Sequence, residues 1–303
     1  MTEESAVLID GPWTHRTVSA AGTRFHVAEI GDGPLVLLLH GFPQFWWTWH
    51  EQMTALAAAG YRAVAVDLRG YGASDKPPRG YDLITLASDA AGLIRALGEA
   101  NAVVVGHATG GLAGWTMAAY FPKSVRRLAI VSMPHPLRLR GEVLTGGQGW
   151  AGRHFFGFQL PMLPERRLLA DDAARIAAML HAWSRPGWPD PTTERLCRDA
   201  FQIPGVAHCS LEYHRWLFRS QVRPDGHRYM RRMQQPIGVP TLHIHGAMDP
   251  FLLPGTARGS GRYVDAPYRW RLIEGAGHFP HQEQPDRVNA ALIGWLDDAE
   301  PES

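Results

Sequence analysis

The chain has 303 residues, 45% of them hydrophobic and 19% charged, enough for one large α/β domain or two small ones. With 30 basic and 29 acidic residues the net charge is +1, which gives no electrostatic footprint for nucleic acid or an anionic membrane. No apolar run approaches the roughly 20 residues of a membrane span, and the acidic, polar start Met1-Thr2-Glu3-Glu4-Ser5 is unlike the basic opening of a signal peptide. The 2 cysteines, Cys197 and Cys209, have no metal-ligand spacing and make no disulfide framework, so a cytoplasmic protein, monomer or homodimer, is the expectation.

In chain order, residues 15–19 and 23–30 alternate either side of Ala20-Ala21-Gly22 and predict a β-hairpin. Residues 34–39 are a continuous apolar run, as for a strand covered on both faces, and a helix is expected to follow as far as Ala59, with Gly60 as its stop. Residues 61–67 read as the next strand and 83–97 as a helix. Residues 103–105 read as a strand feeding a helix over 110–120, and 125–133 as a further strand. Alternation at this spacing predicts an α/β fold with a parallel, doubly wound sheet, which binds ligands at the carboxyl ends of its strands. From Leu137 to Gln235 the alternation stops. Helical stretches over 155–163, 170–183, 192–201 and 210–220 predict a helical cap (137–235) inserted into a core made of 1–136 and 236–303. Strands resume over 240–246 and 270–273, and 287–295 predicts a final amphipathic helix.

Four stretches at those strand ends can carry chemistry. Gly106-His107-Ala108-Thr109-Gly110 follows an apolar strand and opens a helix. Its small residues let the turn close tightly enough to present the central side chain above the sheet. That side chain is Ala108, at the nucleophile position, and a methyl group cannot attack anything. The backbone N–H of Thr109 is placed to hold developing negative charge, and His40-Gly41-Phe42-Pro43 supplies a second donor in the N–H of Phe42. Asp249, in Gly246-Ala247-Met248-Asp249-Pro250, can orient a histidine, and Gly277-His278 follows the last strand. Elbow, then Asp, then His, each just past a strand, is the order of the α/β-hydrolase triad, so Asp249 and His278 are the expected acid and base. Trp46 and Trp47 either wall the substrate pocket or pack the helix that follows. His40, His107, His281 and Ser74 read as structural. The 15 histidines form no metal-ligand pair and no phosphate-binding glycine loop occurs, so neither metal nor cofactor is expected.

The chain resembles the epoxide hydrolase branch of the α/β-hydrolase superfamily, close also to haloalkane dehalogenases. The resemblance is carried by His40-Gly41-Phe42-Pro43 with Trp46, by Asp67-Leu68-Arg69-Gly70-Tyr71-Gly72-Ala73-Ser74, by the elbow, by Pro134-His135-Pro136, by Asp249, and by Gly277-His278 with Glu283 and Pro285. It implies an α/β-hydrolase fold, a mostly parallel doubly wound sheet with an inserted helical cap. It also implies an elbow aspartate that opens an epoxide as an ester, which water then cleaves under the His–Asp pair. The run Leu211-Glu212-Tyr213-His214-Arg215-Trp216 resembles the cap segment that carries an epoxide-binding tyrosine, which makes Tyr213 a candidate catalytic residue, with core packing as the alternative. Where a second cap tyrosine usually stands, His154-Phe155-Phe156-Gly157-Phe158 offers phenylalanines, so Phe155 and Phe158 are candidate pocket residues. Ala108-Thr109 departs from the Asp-Trp common in the family. Three readings stay open. One is a hydrolase of a small to medium apolar substrate with impaired or altered catalysis, either because Ala108 replaces a nucleophile or because His278 and Asp249 activate water directly. The second is a non-hydrolytic enzyme with His278 and Tyr213 as acid and base. The third is a ligand-binding pseudoenzyme.

Overall fold

The sheet begins where the sequence alternates. β1 (Thr14–Ala20) and β2 (Thr23–Ile30) pair antiparallel from Thr14↔Glu29 to Ala20↔Thr23. Ala21 and Gly22 close the hairpin with positive φ, the turn geometry that matches strand twist. β3 (Leu35–Leu39), α1 (His50–Ala58), β4 (Arg62–Val66), α2 (Leu83–Ala96), β5 (Ala102–His107), α3 (Thr109–Tyr120) and β6 (Val125–Val131) follow. Every residue of β3 and β5 is buried, the environment of a parallel strand covered on both faces, and only a continuous apolar run suits it.

The computed structural model describes residues 3–298, the side chains of Thr145 and His154 excepted. Among these residues eight strands form one sheet, in the order β1-β2-β4-β3-β5-β6-β7-β8, where β7 is Thr241–Gly246 and β8 is Tyr268–Ile273. The pairs β1/β2 and β2/β4 are antiparallel and the others parallel. From β3 the chain steps outward to β4, then returns to the far side of β3 as β5. The strand order therefore reverses between β3 and β5, and a crevice at such a reversal is where doubly wound sheets bind ligands. Leu39 lies opposite Gly106, so the loops leaving β3 and β5 start side by side.

Between β6 and β7 the described residues form helices and no strand: α4 (Pro136–Thr145), α5 (Gln148–Ala151), α6 (His154–Gly157), α7 (Leu163–Trp183), α8 (Pro191–Gln202), α9 (Val206–Arg219) and α10 (Pro224–Arg232). The helix expected over 155–163 stops at Gly157, and Met162 stands at φ 57 before α7 begins. α7 is itself interrupted at 170–173, where Asp171, Asp172 and Ala173 take positive φ. Apolar periodicity does not announce α4 and α10. Both are rich in arginine, and their local signal is a proline in the first turn. After β7 come α11 (Pro254–Arg258), then β8, then α12 (Pro280–Glu283) and α13 (Pro285–Asp297). No helix among the described residues is long and apolar enough to cross a membrane.

Candidate catalytic site

Ala108 sits between β5 and α3 at φ 47, ψ −112. A non-glycine residue there costs on the order of 1–3 kcal/mol and persists only where its surroundings hold it. Ala108 N–H donates to the Val131 carbonyl (3.1 Å) and Gly110 N–H to the His40 carbonyl (3.0 Å). The flanking glycines are required by space: a Cβ on Gly110 would lie 2.1 Å from the Leu39 carbonyl oxygen, and one on Gly106 2.3 Å from that of Gly110. The strained elbow is thus built in full around a buried methyl group.

Two N–H groups lie beside this turn. Thr109 is the first residue of α3, so its N–H has no acceptor within the helix. Phe42 is second in a turn closed by Gln44 N–H on the Gly41 carbonyl (2.9 Å), which leaves the Phe42 N–H outside that turn's bonding. Gly41 brings this loop against the elbow, since a Cβ there would lie 2.5 Å from that of Ala108.

Asp249 lies in the loop after β7 and His278 in the loop after β8. These loops close on each other through glycine: a Cβ on Gly246 would stand 1.8 Å from the Gly277 carbonyl oxygen. His278 Nδ1 donates to Asp249 Oδ2 at 2.8 Å. Asp249 Oδ1 accepts the N–H groups of Phe251 (2.8 Å) and Leu252 (2.9 Å). His245 Nε2 donates to the Leu252 carbonyl (2.7 Å) and stands 3.4 Å from Asp249 Oδ2. Burial alone would push the Asp249 carboxyl up, but His278 and His245 outweigh it, and the group sits well below the usual carboxylate range. With Nδ1 held to Asp249, Nε2 is the basic nitrogen of His278. It is buried and has no partner among the described residues.

A second carboxylate ties down the same loop. Glu283 accepts the N–H groups of Gly277 (2.8 Å) and Phe279 (2.9 Å) on either side of His278, and that of Arg185 (2.7 Å) just past α7.

Aromatic rings enclose His278 toward the inserted helices. Trp183 (5.8 Å between ring centroids) and Phe251 (4.9 Å) both touch it, and they stack on each other at 4.4 Å. Phe251 meets Phe155 at 5.3 Å, Trp183 meets Phe42 at 6.2 Å, and Phe42 meets Phe158 at 5.8 Å. Phe155 and Phe158 therefore join the group that holds His278. A cavity of about 360 Å³ adjoins it, lined by Trp183, Phe251, Pro250, Ala151, Arg153 and Ala182.

Trp46 and Trp47 are not part of this group. Trp46 is fully buried, donates to the Val7 carbonyl (2.7 Å) and packs edge-on against Trp13, His15 and His26. Trp47 stacks on His50 at 4.2 Å. Both pack the first hairpin and the N-terminal segment onto the core. Tyr213 has another task as well: its hydroxyl donates to the Arg69 carbonyl (2.8 Å) and its ring lies against Tyr71 and Tyr81. A hydroxyl whose only proton is given to the backbone has none for a substrate. The next residue, His214, is turned about 100° around the helix, and its ring meets Phe42 (4.9 Å), Phe155 (4.6 Å) and Phe158 (5.5 Å). Trp183 and Phe251 belong to no motif, and His214 lies in the run that resembles the cap segment without being singled out there. The one sequence signal for His214 is its helical phase relative to Tyr213.

His40, His107 and His281 make structural bonds. His40 Nε2 accepts the Leu68 N–H (3.1 Å), and burial lowers this imidazole to about 4. His107 Nε2 donates to the His278 carbonyl (3.0 Å), and His281 Nε2 bonds the Thr48 hydroxyl (2.7 Å). Burial takes both imidazoles well below their ordinary value. Ser74 donates to the Asp67 carbonyl (2.6 Å) as a turn serine does. Among the described residues no His, Cys, Asp and Glu cluster is suited to a metal ion.

A glycine-framed elbow after β5, with a bonded Asp–His pair from the ends of β7 and β8, defines a class of protein. The model of the alpha/beta hydrolase family matches residues 36–291, and the chain belongs to that family. Within it the chain falls in the epoxide hydrolase branch. It is similar to epoxide hydrolase 3 of Xenopus tropicalis, 34% identical over 288 residues that cover 91% of this chain and 75% of that protein. It is also similar to epoxide hydrolase A of Mycobacterium tuberculosis, 31% identical over 315 residues, 94% of this chain and 98% of that protein. The crystal structure of epoxide hydrolase A from Mycobacterium thermoresistibile superposes with a TM-score of 0.82 at 29% identity, covering 96% of this chain and 100% of that one.

Proposed function

We propose that this chain hydrolyses a small to medium, mainly apolar substrate of the epoxide class without forming a covalent intermediate. The observation that carries this reading is the state of His278: Nδ1 is locked on Asp249, and Nε2 is buried without a protein partner. The elbow offers only a methyl group, so no ester can form there. A water at Ala108 gives its proton to His278 Nε2 as its oxygen bonds to an epoxide carbon and the ring C–O bond breaks; the ring oxygen carries the developing charge until it takes a proton from solvent, and the N–H groups of Phe42 and Thr109 hold the attacking water oxygen. Asp249 keeps the imidazole in the required tautomer. In this reading the helices of 137–235 are the lid. The cavity beside Trp183 and Phe251 is the way in, and apolar walls of that size suit a small molecule. A cytoplasmic setting suits the two unpaired, buried cysteines.

Removing the nucleophile from a comparable site lowers turnover by roughly 10⁶, so slow turnover is expected. The test is diol formation from an aryl epoxide by the chain, by Ala108→Asp and by His278→Ala. Slow turnover that falls at least about tenfold in His278→Ala supports direct attack by water. Turnover by Ala108→Asp alone would make the chain a ligand-binding relative of the hydrolases and overturn the reading.

A further inference from the structure

We infer that the exposed face of the first inserted helices, over residues 143–169, docks on an anionic phospholipid bilayer. The near-neutral balance of the whole chain divides unevenly. Residues 137–235 hold 15 arginines, no lysine and 9 acidic residues, a formal +6, which leaves −5 on the rest of the chain. Net charge over the full length therefore conceals a basic segment, and lying on a membrane requires no spanning helix.

The same segment carries the apolar surface. Among the described residues, 8 of the 13 large hydrophobic side chains that stand exposed lie within 143–169, and Leu144, Trp150, Phe156 and Met162 are 58–75% exposed. The short helices that bear them are neighbours. α5 lies against the end of α4, where a Cβ on Gly149 would stand 2.6 Å from the Val143 carbonyl oxygen. Phe156 of α6 meets the exposed Phe218 of α9 edge-on at 5.3 Å. Arg215 ties the loop after α6 to α9 by donating to the carbonyls of Phe158 (2.9 Å) and Leu160 (2.8 Å). Single exposed apolar residues are ordinary, but this many on adjoining elements mark an interaction face.

Charge decides what covers it. Between 137 and 169 the acidic residues are Glu142, paired with Arg138 (2.8 Å), and Glu165, paired with Arg215 (2.8 Å). Arg153, Arg166 and Arg167 are exposed and have no acidic partner among the described residues. Arg153 donates to the Trp150 carbonyl (3.0 Å) and lies over the Trp150 ring at 4.5 Å, so cation and apolar ring occupy one spot. A second copy placed across a two-fold axis would set these arginines against one another. An anionic bilayer accepts both parts at once: Trp, Phe and Leu side chains enter the interfacial layer, and guanidinium groups meet lipid phosphates. The surface also adjoins the cavity, which Arg153 and Ala151 line. An apolar molecule dissolved in the bilayer then has a short path to the rings of Trp183 and Phe251.

The test is co-sedimentation of the whole chain with large vesicles of phosphatidylcholine, alone or with about a third phosphatidylserine. Binding to the mixed vesicles should be at least about tenfold tighter than to the neutral ones, and should weaken as salt rises from about 0.1 M to about 0.5 M. Arg166→Gln with Arg167→Gln should weaken it about tenfold. Trp150→Ser with Phe156→Ser should weaken it by a similar factor. Arg95→Gln, which removes an exposed charge from α2 in the core, should stay within about twofold of the parent. The replaced side chains are exposed, so every variant should melt with the parent. Brominated acyl chains should quench the parent's tryptophan fluorescence and quench Trp150→Phe less. No binding to the mixed vesicles, equal binding to both kinds, or binding that survives both double variants overturns the inference. So does a dimer in sedimentation velocity that Trp150→Ser with Phe156→Ser abolishes while vesicles bind nothing, which assigns the face to a second copy. Vesicle binding is read without turnover, so it stands or falls apart from the hydrolytic reading.

Discussion

The backbone N–H of His278 donates to the carbonyl of Trp183 at 2.8 Å, so the base is anchored to the last residue of α7 as well as to Asp249. The inserted helices therefore help to fix the Asp249–His278 pair. The chain leaving α7 reaches His278 through this bond and through Glu283, whose carboxylate accepts N–H groups from both segments.

Glu283 should accordingly be a positioning residue with a large stability effect. Alanine there leaves the N–H groups of Gly277, Phe279 and Arg185 without their acceptor, each at about 1–3 kcal/mol when it stays buried. Glu283→Ala should lose about 3 kcal/mol or more in urea unfolding, and its kcat should fall further than its KM rises. Glu283→Gln keeps a carbonyl oxygen for two of the bonds and should lie between. A variant as stable as the parent would remove the tie between α7 and the base.

Asp249→Asn tests the pair itself. Asparagine fills the same space and can still accept from Phe251 and Leu252, but it provides no charge for the imidazolium and permits the wrong tautomer. A loss in kcat of about 10³–10⁴ is expected, with KM little changed. Because the Asp249 carboxyl lies well below its usual range, it stays ionised throughout neutral and mildly acid pH. Parental kcat in Asp249→Asn would remove His278 from the mechanism.

Stability should fall with pH well before any carboxylate titrates. Burial lowers His40 to about 4 and His135 to about 3, and takes His107, His243 and His281 well below their ordinary value. Below about pH 6.5 the unfolded chain takes up protons on these groups that the folded chain refuses. The unfolded state thus binds more protons, and stability falls as pH falls, by up to about 1.4 kcal/mol per pH unit for each proton. Asp249 contributes in the same sense at lower pH, its share being present above about 3.9 and lost as pH drops toward its depressed value. Asp89 and Glu283, whose carboxyls burial raises, oppose this but are fewer. The urea midpoint at about pH 5.5 should lie clearly below that at about pH 7.5, with the same slope. Equal midpoints would mean that these histidines are charged in the folded protein.

The strands and the elbow were legible because each rests on a local signal: continuous apolar runs for β3 and β5, and glycines where a Cβ meets backbone. Asp249 and His278 were legible through chain order, since both follow strands. What the sequence leaves undecided depends on which face of an element meets the site. Tyr213 and His214 are neighbours in sequence, yet one bonds Arg69 and the other meets Phe42. Trp46 and Trp47 adjoin a motif that lines the site, but contacts with Val7, Trp13 and His50 draw them elsewhere. Trp183 and Phe251 reach His278 from distant segments, and no local pattern marks a residue for that.

The elbow's geometry gives the sharpest stability contrast between adjacent residues. A Cβ on Gly110 would fall 2.1 Å from the Leu39 carbonyl oxygen and 2.6 Å from that of His40. The Leu39 oxygen cannot retreat, because β3 is bonded to β4 on one side and β5 on the other. Gly110→Ala must therefore open the elbow and break the bond from Gly110 to His40, at about 2–3 kcal/mol. Ala108→Gly acts on the same turn in the opposite sense. It relieves the positive φ of 47, but it also loosens the unfolded chain and deletes a buried methyl group, so its net effect should stay within about 1 kcal/mol. Chemical denaturation of the two variants beside the parent measures both. A Gly110→Ala variant of parental stability would mean that β3 and α3 do not meet as closely as the elbow requires, and the positions of the Phe42 and Thr109 N–H groups would fall with it.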